Sequence, residues 1–165
     1  MFENFSQRSK LVIFAARAKA GERGANMIEI DDFIVALVLE DQGLEKGQFP
    51  KLFGIEGPFH SDTPPHAPFF APEMANELVN SLESVLPKSP PVSRSMEMRL
   101  SPALERIFDS ALALQTQLHH SQVQPLHLLA TILTKESSHG VKLLQKAGIT
   151  EEIIVQKLRS DSSLL

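Results

Sequence analysis

The strongest constraint on the fold of this chain is an internal repeat of its apolar pattern. At an offset of 95 residues, position 5 falls on position 100, and the same order of apolar, capping and turn residues recurs. The matched segments are Phe5-Ser6 with Leu100-Ser101, Ile28 with Val123, Phe33-Ile34 with Leu128-Leu129, and Leu37-Val38 with Ile132-Leu133. Gly54-Ile55 and Gly148-Ile149 also match, with the offset shifted by one residue. Few positions are identical, so it is the shared order of features that predicts duplication of one structural unit.

The second copy has the clearer helix signals. Ser101 can accept a hydrogen bond from the free amides of a first helical turn, and Pro102 follows where a missing N–H costs nothing. Pro125 can open a second helix, and a third helix of residues 140–147 can end at Gly148 in the left-handed conformation. Thr150 then caps a fourth helix. The apolar face of the first helix has helical spacing and consists of Leu104, Ile107, Phe108, Ala111, Leu112 and Leu118.

The first copy follows the same order. We expect its helices over residues 6–23 and 30–41, a third segment ending at Phe53-Gly54, and a fourth helix over residues 72–86. A Pro- and Phe-rich loop, residues 57–71, precedes the fourth helix. No stretch alternates apolar and polar residues clearly enough to predict a strand. The predicted fold class is therefore all-α, with two tandem four-helix repeats packed as a pseudo-twofold eight-helix domain.

The expected organisation is a single domain over residues 1–165. Repeat one covers residues 1–86, a linker covers residues 87–99, and repeat two covers residues 100–160.

The composition of the chain indicates a globular protein. Hydrophobic residues make up 42% of the chain, which is enough for a packed core. The net charge of -4 argues against a protein that binds nucleic acid by neutralising phosphates. The chain has no cysteine, no secretory signal and no apolar run long enough for a membrane span, so we expect a cytoplasmic protein.

Three motifs in these helices resemble a known family. The opening Met1-Phe2-Glu3-Asn4-Phe5-Ser6-Gln7-Arg8-Ser9 is similar to the Phe-Thr-x-Arg-Ala with which Clp ATPase N-terminal domains begin. The family's Ile-x-x-Glu-His-Leu-Leu motif occurs twice, as Ile28-Glu29-Ile30-Asp31-Asp32-Phe33-Ile34 and as Val123-Gln124-Pro125-Leu126-His127-Leu128-Leu129. The Gly-Ile pairs are similar to the family's Leu-Gly-Ile. Because no Gly-x-x-x-x-Gly-Lys-Ser/Thr is present, the chain resembles a stand-alone Clp N-terminal (Clp R repeat) domain without the ATPase module.

The resemblance implies a non-catalytic module that binds proteins or peptides and that has no cofactor. Such domains receive adaptors and tagged or misfolded substrates, so the implied partner is a Clp ATPase, a Clp protease, an adaptor or an unfolded client, with no nucleic acid and no membrane. Some members bind phosphorylated arginine through the Glu of the motif. The matching residues here are Asp31, a shorter carboxylate, and Leu126, which cannot accept a hydrogen bond. We therefore do not expect phosphoarginine recognition.

Nine residues are candidates for partner contacts. They are Phe2, Phe5 and Arg8 near the start of the chain, Asp31, Asp32 and His127 where the second helix of each copy begins, and Phe59, Phe69 and Phe70 in the loop. Each has a structural alternative. Asp31 and Asp32 can simply complement the dipole of the second helix, which is the reading that we favour. We expect His127 to be buried and bonded to nearby backbone, and the loop phenylalanines to hold the loop on the core rather than to form an exposed patch.

Two other functional classes remain as alternatives. A small metal-dependent enzyme could use the cluster His119, His120 and His127, and it predicts that His119 or His120 approaches His127 beside a concave site. With His139 added, the spacing still matches no strong zinc signature. A helix-turn-helix repressor is the other alternative, which the acidic charge balance disfavours.

Overall fold

The fold is known from a computed structural model that describes residues 2–43, 66–93 and 96–165. The described residues contain seven α-helices: α1 (Gln7–Glu22), α2 (Ile30–Asp41), α3 (Pro72–Val85), α4 (Pro102–Gln117), α5 (Pro125–Lys135), α6 (His139–Lys146) and α7 (Glu151–Ser160). A short 3-10 helix, Ser162–Leu164, follows α7. The prediction of an all-α fold is confirmed. The third segment predicted for repeat one, ending at Phe53-Gly54, lies outside the described residues.

Helices α4 and α7 begin at capping side chains that the sequence predicted. Ser101 Oγ accepts a hydrogen bond from the backbone N–H of Leu104 at 3.2 Å, and Thr150 Oγ1 accepts one from Ile153 at 3.4 Å. Both predicted caps are thus confirmed, and Pro102 occupies the first position of α4 as expected. Gly148 follows the end of α6 with a φ of 86°, the left-handed conformation that glycine adopts without a steric penalty.

Short segments of the two copies pair with each other through their backbones, which the sequence did not predict. Strand β1 (Met27–Ile28) pairs in parallel with β2 (Arg99–Leu100), and Phe5 forms an isolated parallel bridge with Val123. At the 95-residue offset these two pairings are equivalent, so the residue before the first helix of each copy pairs with the residue before the second helix of the other. Strands of two residues are too short to show alternation, which explains why the sequence pattern missed them.

A single apolar core is shared by both copies. Helix α2 packs against α1 and α3, α5 packs against α4 and α7, and α6 of repeat two reaches across to contact α2 and α3 of repeat one. Aromatic rings from both copies meet in the core, with ring centroids 5.5 Å apart for Phe5 and Phe108 and 5.4 Å for Phe33 and Phe108. No helix within the described ranges has the length and apolar character needed to cross a membrane.

The described end of the Pro- and Phe-rich loop is attached to the end of α2. The Asp41 carboxylate accepts hydrogen bonds from the backbone N–H groups of Phe69 at 2.8 Å and Phe70 at 3.0 Å. Phe70 is buried, and Phe69 packs edge-on against it with 5.1 Å between ring centroids. The expectation that the aromatic residues hold the loop on the core is thus met for Phe70 and, in part, for half-buried Phe69. Phe59 lies outside the described residues.

The linker between the repeats lies along the end of α1, and we call its residues 86–93 the strap. Ser89 N–H donates to the Arg23 carbonyl at 2.8 Å, and Val92 N–H donates to the Gly21 carbonyl at 2.9 Å. The guanidinium of Arg17 donates to the Ser93 carbonyl at 3.1 Å. The strap is therefore fixed mainly through backbone groups.

Candidate protein-binding site

A groove of about 780 Å³ lies between the two copies. One wall is the turn that leads from α1 into α2, residues 23–31, and the opposite wall is the segment before α6, residues 136–138. The strap closes one side, and Ala103 of α4 also lines the groove. We refer to this feature as the inter-copy groove. Its volume is in the range of known ligand pockets, and its walls come from both repeats.

Asp31 lies in this groove and connects the two copies. Its Oδ1 accepts hydrogen bonds from Ser138 Oγ at 2.6 Å and from the Gly140 backbone N–H at 3.1 Å. A Cβ at Gly140 would lie only 2.6 Å from that oxygen and 2.8 Å from Ile34, so glycine allows this close approach. The carboxylate oxygen that matches the family's motif position is thus engaged within the protein.

Asp32, the neighbouring carboxylate, is buried and paired. Its oxygens accept from Arg23 Nε at 2.6 Å and Nη2 at 2.7 Å, and from the backbone N–H of Glu29 at 3.0 Å. Hydrogen bonding to Asp32 raises the pKa of Arg23 above its usual value. Asp31 and Asp32 both lie in the first turn of α2, as the dipole interpretation requires, but each also makes a specific tertiary bond.

A second, smaller cavity of about 410 Å³ lies beside the inter-copy groove. Its lining includes Lys19, Glu83 and buried Val35, and it shares Arg23, Leu86 and Ser89 with the groove. Lys19 Nζ lies 3.0 Å from a Glu83 carboxylate oxygen, so these charges pair with each other. We call this feature the α1–α3 cavity.

Only two of the histidines in the predicted cluster lie close together. His120 Nδ1 lies 2.8 Å from His127 Nε2, so these two imidazoles do approach each other as the enzyme alternative requires. Both are buried, however, and neither lines the two cavities described above. His119 and His139 are exposed, and His119 occupies a turn with a φ of 57°. Across residues 2–43, 66–93 and 96–165, no three His, Asp or Glu side chains are arranged to hold a metal ion.

His127 is buried and bonded to nearby backbone, as its position at a helix start predicted. Its Nδ1 accepts a hydrogen bond from the backbone N–H of Gln124 at 2.8 Å, so Nε2 carries the proton and donates to His120. Burial, followed by the nearby His120, lowers the pKa of His127 to about 4. Burial also lowers the pKa of His120. The pair is therefore neutral and part of the core near neutral pH.

The candidates at the start of the chain also act inside the fold. Phe5 is buried, and half-buried Phe2 packs against it with 5.3 Å between ring centroids. Arg8 forms a bidentate ion pair with buried Glu40, at 2.9 Å from Nε and 2.8 Å from Nη2, which joins α1 to α2. Buried Phe5, Asp32, His127 and Phe70 offer no contact surface here, whereas Phe2, Arg8, Asp31 and Phe69 are partly exposed.

Several residues that build the site carried no signal in the sequence. Arg23 and Asp32 are 9 positions apart, and Arg8 and Glu40 are 32 apart, so no motif spacing links the partners. The strap likewise shows only as a Pro- and Ser-rich linker.

These features define a class: an all-α module of two related helical units, with a groove between them. The family model for the Clp repeat (R) N-terminal domain matches residues 73–147, from α3 to the end of α6. The resemblance inferred from the motifs is thus confirmed over residues 73–147.

Solved structures extend the match in fold to nearly the whole chain. The N-terminal domain of the Caseinolytic protease associated chaperone ClpD from Arabidopsis thaliana is 15% identical, with a TM-score of 0.63, and the match covers 96% of this chain and 99% of that one. The N-terminal domain of Hsp104 from Candida albicans is 17% identical, with a TM-score of 0.61 and coverage of 94% and 89%. A structure from a malarial protein secretion system is 17% identical, with a TM-score of 0.67 and coverage of 95% and 93%. No curated protein matches the chain in sequence.

Proposed function

We propose that this chain is a non-catalytic module that binds proteins or peptides within a Clp-type chaperone system, and that it holds an extended segment of its partner in the inter-copy groove. The observation that carries this proposal is the groove itself, which is lined by residues of both copies and of the strap. Its occupant would be part of a Clp ATPase, a Clp protease, an adaptor or an unfolded client. The family match supports the chaperone context.

The chemistry of the groove suits a peptide better than a reaction. The walls combine the carboxylates of Glu29 and Glu136 and the hydroxyl of Ser137 with the partly exposed apolar side chains of Met27 and Ala103. Such a mixture offers hydrogen-bond partners to a peptide backbone and contact area to its side chains. Asp31 and Asp32 are engaged in internal bonds, so they support the walls rather than act as a base.

The test uses an unfolded protein as the probe. Fluorescein-labelled, reduced and carboxymethylated α-lactalbumin is titrated with the full chain, and its anisotropy reports binding. Ala103→Trp fills the groove, whereas Ala113→Trp places the same side chain at an exposed position of the same helix that does not line the groove. We expect Ala103→Trp to raise Kd about tenfold, which corresponds to about 1.4 kcal/mol, and Ala113→Trp to leave Kd unchanged.

Equal binding by the two tryptophan variants would exclude the inter-copy groove as the docking site. An affinity pulldown from the native lysate then addresses the chaperone context. Recovery of a Clp ATPase, a Clp protease or an unfolded client supports it, and recovery of none of these contradicts it.

A further inference from the structure

The strap separates the inter-copy groove from the α1–α3 cavity. Leu86 and Ser89 of the strap line both spaces, together with Arg23 of the protein body. Behind the strap lie the Arg23–Asp32 ion pair and the buried side chain of Val35, which lines the α1–α3 cavity. Removing this one segment would turn two neighbouring spaces into a single longer cleft.

The strap contributes little side-chain burial of its own. Residues 87–91 are exposed, and Leu86 and Val92 are only partly buried. The segment is held by hydrogen bonds to its backbone groups. Ser89 N–H donates to the Arg23 carbonyl and Val92 N–H to the Gly21 carbonyl, while the Pro87 carbonyl accepts from Arg23 Nη1 at 3.2 Å and the Ser93 carbonyl accepts from Arg17 Nη2 at 3.1 Å. A segment with few buried apolar contacts and exposed backbone bonds opens more easily than the core.

The absence of a side chain at Gly24 allows the strap to lie close to the end of α1. A Cβ at this position would lie 2.5 Å from the Pro90 carbonyl oxygen and 2.6 Å from the backbone of Ser89. The residue also has a φ of 76°. Gly148 has a comparable φ of 86°, but a Cβ there would meet nothing within 4 Å. Gly24 and Gly148 therefore make similar backbone demands, but only Gly24 is in contact with the strap.

We propose that the strap is a displaceable gate, which detaches from the end of α1 and joins the two spaces into one cleft. The identity of what enters the cleft, a longer extended segment of the partner, rests on the proposed function. Because the detachment itself is a property of the free chain, it can be measured without any partner.

The test places a single thiol behind the gate. The chain has no cysteine, so Val35→Cys introduces the only thiol, and its reaction with Ellman's reagent reports exposure of the α1–α3 cavity. Gly24→Ala in this background displaces the strap. We expect labelling about tenfold faster, because the open fraction rises exponentially with the docking free energy that is lost. Gly148→Ala, the matched control, is expected to label at the rate of Val35→Cys alone.

Two controls keep the result specific. Urea denaturation of each variant shows whether faster labelling merely follows lower global stability. Ser89→Pro removes the donor to the Arg23 carbonyl without adding a Cβ at Gly24, and it should also accelerate labelling.

Equal labelling of the Gly24 and Gly148 variants at equal stability would overturn the gate. That outcome would not affect the conclusion drawn from the Ala103→Trp binding experiment. Conversely, failure of α-lactalbumin to bind would remove the proposed function while a fast Gly24→Ala reaction still supported the gate.

Discussion

At the scale of single residues, Asp32 and His127 occupy equivalent positions and cap the same backbone site in their copies, although one is a carboxylate and the other an imidazole. They are 95 residues apart, and each accepts a hydrogen bond from the backbone N–H three residues earlier, from Glu29 and Gln124 respectively. Asp32 is an ion-paired carboxylate, whereas His127 is a neutral imidazole bonded to another imidazole. The sequence predicted the local role of His127 from its position at a helix start. The approach of His120 was expected only under the enzyme alternative, because residue spacing alone does not determine a tertiary contact.

The buried histidine pair predicts a loss of stability in acid. The pKa of His127 in the folded protein, about 4, lies below the value of about 6.5 for a free histidine. Its contribution to the free energy of unfolding is therefore complete above pH of about 6.5 and is lost as the pH falls toward 4. One pKa unit is about 1.36 kcal/mol, so we expect a loss of up to about 3 kcal/mol. Urea denaturation between pH 7 and pH 4 measures it.

His127→Asn is the control for this prediction. The asparagine side chain can still accept from the Gln124 N–H but does not titrate, so the variant should lose less stability over the same pH range. If the wild type and the variant follow parallel pH curves, His127 is not the source of the acid sensitivity.

At the scale of elements, caps and turns within a helix end predicted the helix boundaries well, whereas contacts between distant segments could not be predicted. The predicted first helix of repeat one, residues 6–23, compares with Gln7–Glu22 in the structure, and the predicted third helix of repeat two, residues 140–147, with His139–Lys146. These ends depend on caps and turns that lie within a few residues of each other. The β1–β2 pairing and the strap depend on segments far apart in the chain, for which a single sequence offers no local pattern.

The capping serine of α4 supports a prediction at this scale. Ser101→Ala removes the acceptor for the Leu104 N–H, and we expect the free energy of unfolding to fall by about 1 kcal/mol. Ser110→Ala, in the middle of the same helix, should change it by less than about 0.5 kcal/mol. Urea denaturation of both variants at pH 7 gives the comparison, and equal effects would show that the Ser101 cap adds nothing to α4.

At the scale of the whole molecule, the two copies depend on each other. Ser6 N–H donates to the Val123 carbonyl at 3.0 Å, and Ser101 N–H donates to the Ile28 carbonyl at 2.9 Å. The first helix of each copy therefore begins on an acceptor that the other copy supplies. Helix α6 of repeat two adds to this by packing on α2 and α3 of repeat one.

This dependence predicts how the separated halves behave. Residues 1–93 and 96–165, made as two chains, should each show little cooperative structure alone, because their cores and backbone partners are incomplete. Mixed in equal amounts, they should regain helical circular dichroism and a cooperative thermal transition. A half that unfolds cooperatively on its own would contradict the prediction.

The reciprocal pairing at β1–β2 and Phe5–Val123 also bears on how such a chain could arise. A single ancestral unit with these edges would complete them only against a second identical unit, in a twofold dimer. Fusion of the two genes removes the need for both halves to stay self-complementary. Each half is then free to diverge, which is consistent with Asp31 bonding across to Ser138 while its counterpart is Leu126. In that history the linker that contains the strap is the segment that connects the two fused units.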